Sequence, residues 1–108
     1  SAGYITGSAG NAALMALTKG LGAESLRHGI RVVAINPGLI HTERLKTQMR
    51  RVAKQRFNDE SRWQELLSDI FPPGRPQHIA DMTSFLASDL SGNTTGTVIT
   101  IDGGYSKR

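Results

Sequence analysis

The chain has 108 residues, of which 38% are hydrophobic and 20% charged, a balance typical of one globular unit with a modest core and not of a disordered chain. It contains no Cys, which excludes disulfides and thiolate metal sites, and no apolar run long enough to cross a bilayer. The net charge of +4 admits an anionic partner, and the absence of secretory or membrane signals leads us to expect a cytoplasmic protein.

The first predicted element is a helix that starts at Thr6 or Ser8, either of which is a suitable N-cap, and ends at His28. Its apolar stripe consists of three leucines at positions i, i+3 and i+7, namely Leu14, Leu17 and Leu21. Small residues flank this stripe, namely Ala13, Ala16, Gly20 and Ala23. They allow another backbone to come close, so we expect packing on two sides, against a sheet and a second helix. Gly29 is expected to end the helix in the left-handed conformation.

Two strands are predicted, at residues 31–36 and 97–101, because each is a short apolar run followed by a Gly-containing turn. Their apolar residues are continuous, which is typical of strands covered by helices on both faces. Three helical segments separate them, at about residues 43–57, 61–70 and 78–88, so the strands are predicted to be parallel neighbours in an α/β fold. Two strands cannot close a doubly wound sheet, and we therefore expect the chain to form part of a larger domain.

Several short motifs occur in a fixed order along the chain: Asn11-Ala12-Ala13-Leu14, Leu17-Thr18-Lys19, Gly29-Ile30-Arg31-Val32, Asn36-Pro37-Gly38, Phe85-Leu86-Ala87-Ser88-Asp89 and Asp102-Gly103-Gly104. Together they resemble the C-terminal half of a short-chain dehydrogenase/reductase, over essentially the whole chain. The resemblance implies a Rossmann-type doubly wound parallel sheet, of which residues 1–108 form the C-terminal part. It also implies a substrate lid over about residues 43–77 and assembly as a homodimer or homotetramer.

The resemblance further implies NAD or NADP as cofactor, with contacts from four residues that follow the first strand: Pro37, Gly38, Ile40 and Thr42. The carboxyl ends of parallel strands are where an open α/β sheet binds ligands, and Gly lets the backbone come close. From the residues alone, an alternative is that Pro37 and Gly38 form only a turn and that Thr42 is only the N-cap of the next helix.

The family's catalytic Tyr, and the Lys four residues after it, correspond here to Gly7 and Asn11. An ordinary phenol ionises at about pH 10, and the family's Lys makes it usable near neutrality. Asn11 has no charge, although it can still bind a ribose hydroxyl of the cofactor. Two replacement proton donors are available: Tyr4, on the helix side shared by residues 7 and 11, and His41, beside Thr42.

The helix after Thr42 is predicted to be amphipathic. Its apolar face is formed by Leu45, Met49 and Val52, and its basic face by Arg44, Arg50, Arg51 and Lys54. We interpret the basic face as a solvated surface, with attraction of an anionic substrate, a phosphate or a nucleic acid as the alternatives. The next segment presents Trp63, Leu66, Leu67 and Ile70 at helical spacing, either to line an apolar pocket or to seat the lid.

The sequence therefore predicts an NAD(P)-dependent oxidoreductase that transfers hydride between a nicotinamide and a small carbonyl or alcohol substrate, with an atypical proton donor. The alternative is a non-catalytic subunit of the same fold that binds nucleotide or serves a structural role. No nucleic-acid or membrane partner is expected. No metal site is expected either, because the three histidines lack metal-ligand spacing.

Overall fold

The computed structural model describes residues 4–67, 69 and 71–107. In this part of the chain lie α1 (Ile5–Ser25), β1 (Val33–Pro37), α2 (Glu43–Phe57), α3 (Pro76–Ala87) and β2 (Thr97–Ile101). The two strands pair as parallel neighbours, which confirms the predicted α/β class. Among the described residues, no helix has the length and apolar character needed to span a membrane.

Contacts divide the chain into two compact units. One contains Ser1–Asn36 and Met82–Ile99, and the other contains Pro37–Asp81 and Thr100–Arg108. The first unit therefore holds α1 and the second half of α3, whereas the second holds α2, the loop that follows β1 and the first half of α3. That the whole chain forms part of one Rossmann-type domain stays a prediction.

In the first unit, α1 packs through a face of small side chains. Gly22 is buried because its backbone lies against Gly96, and the hydroxyl of Thr95 donates to the Gly22 carbonyl oxygen over 3.1 Å. The predicted leucine stripe is instead exposed: Leu14 is 60%, Leu17 55% and Leu21 52% accessible. Among the described residues, α1 thus packs on one side and not on two, because the close approach of Gly22 and Gly96 fixes which face is covered.

The start of α1 also differs from the prediction. Tyr4, and not Thr6 or Ser8, is the residue before the first helical turn, and no side chain caps the helix there. At the other end, a 3₁₀ turn leads into Gly29, whose φ of 71° confirms the predicted left-handed conformation.

Arg31 joins the region before β1 to the end of α3. Its guanidinium donates to the carbonyl oxygens of Leu86 (2.8 Å), Ser88 (3.0 Å) and Ser91 (3.0 Å), and also to the Ser91 hydroxyl. The last carbonyls of a helix have no partner within the helix, so this side chain caps α3. β1 accordingly starts at Val33, two residues later than predicted.

In the second unit, α2 packs against a 3₁₀ helix over Glu60–Leu66. The contact buries Leu45 (5% exposed), Ala53 (0%) and Trp63 (9%), whereas Val52 on the predicted apolar face is 40% exposed. The prediction of an α-helix at 61–70 is therefore wrong in type and length, and Ile70 lies outside the described residues. The bounds predicted for the helix at 43–57 and for the strand at 97–101 are confirmed.

Candidate functional site

The turn after β1 is held by the chain itself. The Gly38 amide donates to the Ile101 carbonyl oxygen over 2.9 Å, and a Cβ at residue 38 would lie 2.8 Å from the Cα of Asp102. Pro37, just before it, is exposed. Because contact with Asp102 already requires a glycine, the presence of Gly38 does not by itself indicate a ligand.

Ile40 lies in the centre of an isolated parallel bridge to Gly74. The hydrogen bonds are made by its neighbours: Gly74 donates to the Leu39 carbonyl oxygen (2.8 Å), and His41 donates to the Gly74 carbonyl oxygen (2.7 Å). Within the described residues, the amide and carbonyl of Ile40 itself make no hydrogen bond. Among the described residues, one donor and one acceptor are therefore without a partner at Ile40, in the loop after β1.

Thr42 is the N-cap of α2. Its Oγ1 accepts a hydrogen bond from the Leu45 amide over 3.2 Å, which confirms the capping interpretation. This bond uses one lone pair of the hydroxyl oxygen and leaves the hydroxyl proton free to donate. Capping and ligand contact are thus compatible at this exposed side chain.

The imidazole of His41 contacts the indole of Trp63 edge to face, with ring centroids 6.3 Å apart and planes at 62°. Trp63 is 9% exposed, while His41 is exposed. Trp63 therefore seats the 3₁₀ helix against α2 and against the loop that carries His41, which favours the lid-seating alternative for this residue.

At the start of α1, the ring of Tyr4 lies over Gly7. A Cβ built at residue 7 would collide with the Cζ, Cε1 and Cε2 atoms of that ring, so the phenol occupies the space that any side chain at residue 7 would need. Tyr4 itself is 55% exposed. Asn11, one turn beyond Gly7, is exposed, and its side chain makes no hydrogen bond within the described residues.

The predicted site residues fall into the two units. Five lie together in the second unit, at the last residue of β1 and on the loop after it: Pro37, Gly38, Ile40, His41 and Thr42. The first unit contains Tyr4, the N-cap of α1, and Asn11 on α1 itself. The sequence did not predict Gly74 as the partner of Ile40. The sequence around Gly74 indicates a turn, because it is rich in Pro and Gly, but it does not indicate a pairing partner.

Asp102 is the second structural residue that sequence reasoning missed at this loop. Its carboxylate accepts hydrogen bonds from the Ser106 amide (2.8 Å) and the Gly104 amide (2.9 Å), and these bonds lower the pKa of the Asp102 carboxyl group below its ordinary value. Asp102 thus orders the Gly103-Gly104 turn and packs against Gly38 at the same time.

The comparisons with known proteins agree with this architecture. The family model described as enoyl-(acyl carrier protein) reductase matches residues 2–106. The crystal structure of a short chain dehydrogenase family protein from Francisella tularensis is 31% identical, with a TM-score of 0.79 over 90% of this chain and 41% of that chain. The chain belongs to the short-chain dehydrogenase/reductase (SDR) family.

Among the curated SDR relatives is nodulation protein G of Azospirillum brasilense, 35% identical over 97% of this chain and 39% of its own length. Another is 2-keto-3-deoxy-L-fuconate dehydrogenase of Xanthomonas campestris, 37% identical over 88% of this chain and 31% of its own length. The chain therefore spans about a third of these SDR relatives.

Two similar SDR structures contain a nicotinamide cofactor. L-sorbose reductase from Gluconobacter frateurii, complexed with NADPH and L-sorbose, is 29% identical, with a TM-score of 0.76 over 90% of this chain and 38% of that chain. 4-Hydroxyisoleucine dehydrogenase, complexed with NADH, is 31% identical, with a TM-score of 0.64 over 93% of this chain and 37% of that chain. Nicotinamide dinucleotides with and without the additional 2′-phosphate thus occur among its structural neighbours.

Proposed function

We propose that this chain carries the nicotinamide-side and substrate-side residues of an NAD(P)-dependent oxidoreductase that acts on a small carbonyl or alcohol compound. The observation that carries the proposal is the loop after β1. There, the amide and the carbonyl of Ile40 have no hydrogen-bond partner among the described residues, and they lie within two residues of the hydroxyl of Thr42, whose proton can donate. In a member of the SDR family, this loop follows a strand of the dinucleotide-binding sheet.

The residues present fit a nicotinamide. Its carboxamide group has a carbonyl acceptor and an NH₂ donor, and Ile40 offers the complementary pair from its backbone. Thr42 would donate its hydroxyl proton to the same carboxamide or to a phosphate oxygen of the cofactor. Pro37 and Gly38 would form the wall of the turn, and Asn11 would bind a ribose hydroxyl through its amide. NADPH and NADH in the two similar structures support either form of the cofactor.

Tyr4 is our proposed proton donor. Gly7 and Asn11 stand where the family resemblance places Tyr and Lys, and the Tyr4 ring fills the space over Gly7. A bound reduced nicotinamide would supply a hydride for reduction of the substrate carbonyl group. Tyr4 then donates its hydroxyl proton to the carbonyl oxygen as the C=O double bond becomes a C–O single bond, and solvent returns a proton to the exposed phenol. His41 is the second candidate donor.

The proposal is tested with the purified full-length protein. Binding of NADH and NADPH is measured by the change in cofactor fluorescence, and turnover of a panel of ketones and aldehydes by the loss of reduced-cofactor absorbance. We expect Tyr4→Phe to lower kcat for carbonyl reduction by about 10²–10⁴-fold and to leave cofactor binding unchanged. Tyr105→Phe is the matched control, because it removes the only other phenol hydroxyl of the chain.

Two outcomes would contradict the proposal at different levels. An undiminished kcat in Tyr4→Phe rejects Tyr4 as donor, and loss of activity in His41→Asn alone would then assign that role to His41. Cofactor binding with no turnover across the whole panel rejects the enzyme and supports the non-catalytic subunit. Cytoplasmic location and assembly as a homodimer or homotetramer stay predictions.

A further inference from the structure

One face of α2 carries a concave groove that the proposed reaction does not use. Its volume is about 610 Å³, and its lining residues are Thr47, Arg50, Arg51, Lys54, Gln55 and Glu60. Five of these side chains come from α2 at positions i, i+3, i+4, i+7 and i+8, which places them on one continuous face of the helix. The sixth, Glu60, begins the neighbouring 3₁₀ helix. All six are exposed, so the groove is open to a ligand from solvent.

The cations of this groove have almost no partners of their own. Within the described residues, Arg50 and Arg51 make neither an ion pair nor a hydrogen bond. Among the described residues, Lys54 donates one long hydrogen bond, of 3.4 Å, to the carbonyl oxygen of Asn58 and attracts the nearby carboxylate of Asp59. By contrast, Arg62 on the adjacent 3₁₀ helix pairs with both oxygens of Glu65 and stacks over Phe57. Among the described residues, Arg62 therefore has a carboxylate and an aromatic partner, whereas Arg50 and Arg51 have neither.

The net charge of the groove is opposite and similar in size to the charge of a phosphate monoester. Three basic side chains and one carboxylate leave two positive charges. A phosphate monoester has a charge of about −1.5 to −2 at neutral pH, whereas a phosphodiester or a carboxylate has only one negative charge. Guanidinium groups bind phosphate oxygens through paired N–H donors, and the Thr47 hydroxyl and the Gln55 amide add two neutral donors.

A purely solvated face explains the groove less well. Arg50 and Lys54 are like charges at positions i and i+4, a spacing at which they repel and destabilise the helix. No aromatic side chain lines the groove, so it has no surface on which nucleic-acid bases would stack. We propose that this groove binds the phosphate monoester group of the substrate.

The word substrate rests on the proposed function, since Thr42, the residue that we expect to contact the cofactor, is the N-cap of α2. The phosphate itself could belong to a small phosphorylated carbonyl compound or to the nucleotide end of a thioester carrier such as coenzyme A. Both present the same dianionic group to the groove. A nucleic acid is a different class of partner, and the experiment includes it as a contradicting outcome.

Binding is measured by titration calorimetry on the full-length protein without any nicotinamide cofactor, so that the result does not depend on the proposed reaction. The probes are glycerol 3-phosphate and coenzyme A, with glycerol and 3′-dephospho-coenzyme A as the matched compounds that lack the monoester. The test variant is Arg50→Gln/Arg51→Gln. The control is Arg44→Gln/Lys46→Gln, which removes the same charge from the same helix at residues that do not line the groove.

We expect at least one phosphate monoester to bind and the matched compound that lacks the monoester to bind at least about tenfold more weakly. We expect Arg50→Gln/Arg51→Gln to weaken that binding by about tenfold or more, and the control pair to change it by less than about twofold. Whichever probe binds more tightly identifies the source of the phosphate.

Equal weakening in the two double variants would show diffuse attraction by net charge and would overturn the proposal. So would the absence of binding by both probes, or tighter binding of a short DNA oligonucleotide than of either probe. Cofactor binding and turnover are followed separately in all variants, so failure of the groove is distinguishable from failure of the oxidoreductase.

Discussion

At the scale of single residues, the position of the Tyr4 ring depends on the absence of a side chain at Gly7. The ring of Tyr4 covers residue 7, so a side chain at residue 7 and the observed position of Tyr4 exclude one another. A neighbouring cation stabilises the phenolate form of a tyrosine side chain. Residues 1–11 contain no Lys, Arg or His. In its proposed role, Tyr4 would therefore serve carbonyl reduction, which consumes the proton, better than alcohol oxidation, which requires the phenolate.

The first prediction follows from that asymmetry. Asn11→Lys places an ammonium one turn from the residue that the Tyr4 ring covers, where it stabilises the phenolate. We expect kcat for alcohol oxidation at neutral pH to rise about tenfold over that of Asn11→Gln, which is uncharged and of similar length. Steady-state rates in both directions are the measurement. An equal effect of Lys and Gln would show that charge at residue 11 has no role in catalysis.

The second prediction concerns two glycines of α1 that differ in their surroundings. A Cβ at residue 22 would collide with the backbone of Gly96, whereas a Cβ at residue 20 has no neighbour within 4 Å. We expect Gly22→Ala to reduce the free energy of unfolding by about 1–3 kcal/mol, because the backbones must move apart. Gly20→Ala should increase it by about 0.5–1 kcal/mol, because Ala is the better helix former. Urea denaturation measures both, and equal effects would contradict the packing of α1 on Gly96.

The sequence could not distinguish these two glycines. Its pattern placed Gly20 beside the leucine stripe and predicted packing there, while the residue that packs is Gly22. The difference depends on a partner more than 70 positions away, the Thr95-Gly96 turn, which no local periodicity encodes. Capping by Thr42 and the left-handed Gly29 were predictable because both depend on neighbours within one turn.

At the scale of elements, Arg31 determines how α3 ends. The third prediction is that Arg31→Met reduces the free energy of unfolding by about 1.5–3 kcal/mol, since the guanidinium satisfies carbonyl groups of Leu86, Ser88 and Ser91. Arg27→Met is the control: Arg27 pairs with Glu24, both side chains are about two-thirds exposed, and such pairs contribute about 1 kcal/mol or less. If the two variants were equally stable in urea denaturation, Arg31 would not act as a cap.

The elements themselves were predictable to different degrees. α2 and β2 have the predicted bounds because each has strong local signals, an N-cap with an amphipathic pattern and a continuous apolar run before glycines. The segment after α2 also has helical spacing, yet it forms a 3₁₀ helix, whose side-chain pattern over a few residues resembles that of an α-helix. The bridge between Ile40 and Gly74 was not predictable, because a single residue pair leaves no periodic trace.

At the scale of the whole molecule, acid should destabilise the chain through three described carboxyl groups. Hydrogen bonds from Ser61, Arg62 and Ser106 are the largest cause of the lowered pKa values of Asp59, Glu65 and Asp102, respectively. A carboxyl group whose pKa is lower in the folded than in the unfolded chain stabilises the folded state above the unfolded pKa. That stabilisation is lost as the pH falls through the folded pKa.

The fourth prediction is therefore that the free energy of unfolding falls as the pH decreases below about 4, the ordinary pKa of these groups. Asp102→Asn should reduce stability at neutral pH and make the decline at acid pH smaller, because the amide side chain of the variant does not take up a proton in this pH range. Urea denaturation at a series of pH values is the measurement. A decline of the same size in the variant would exclude Asp102 as a contributor.

The bridge between Ile40 and Gly74 also determines which segment of the chain can change in length and composition without altering the loop after β1. The bridge pairs the two residues that flank residues 41–73, the segment that contains α2 and the 3₁₀ helix. Both ends of this segment are therefore held together by the hydrogen bonds of the bridge. When the ends of a loop are held together, doubling the length of the loop adds only about 0.6 kcal/mol to the entropic cost of closing it. The segment between the two bridge residues can therefore change in length and in surface composition while the loop at Ile40 and Thr42 keeps its conformation.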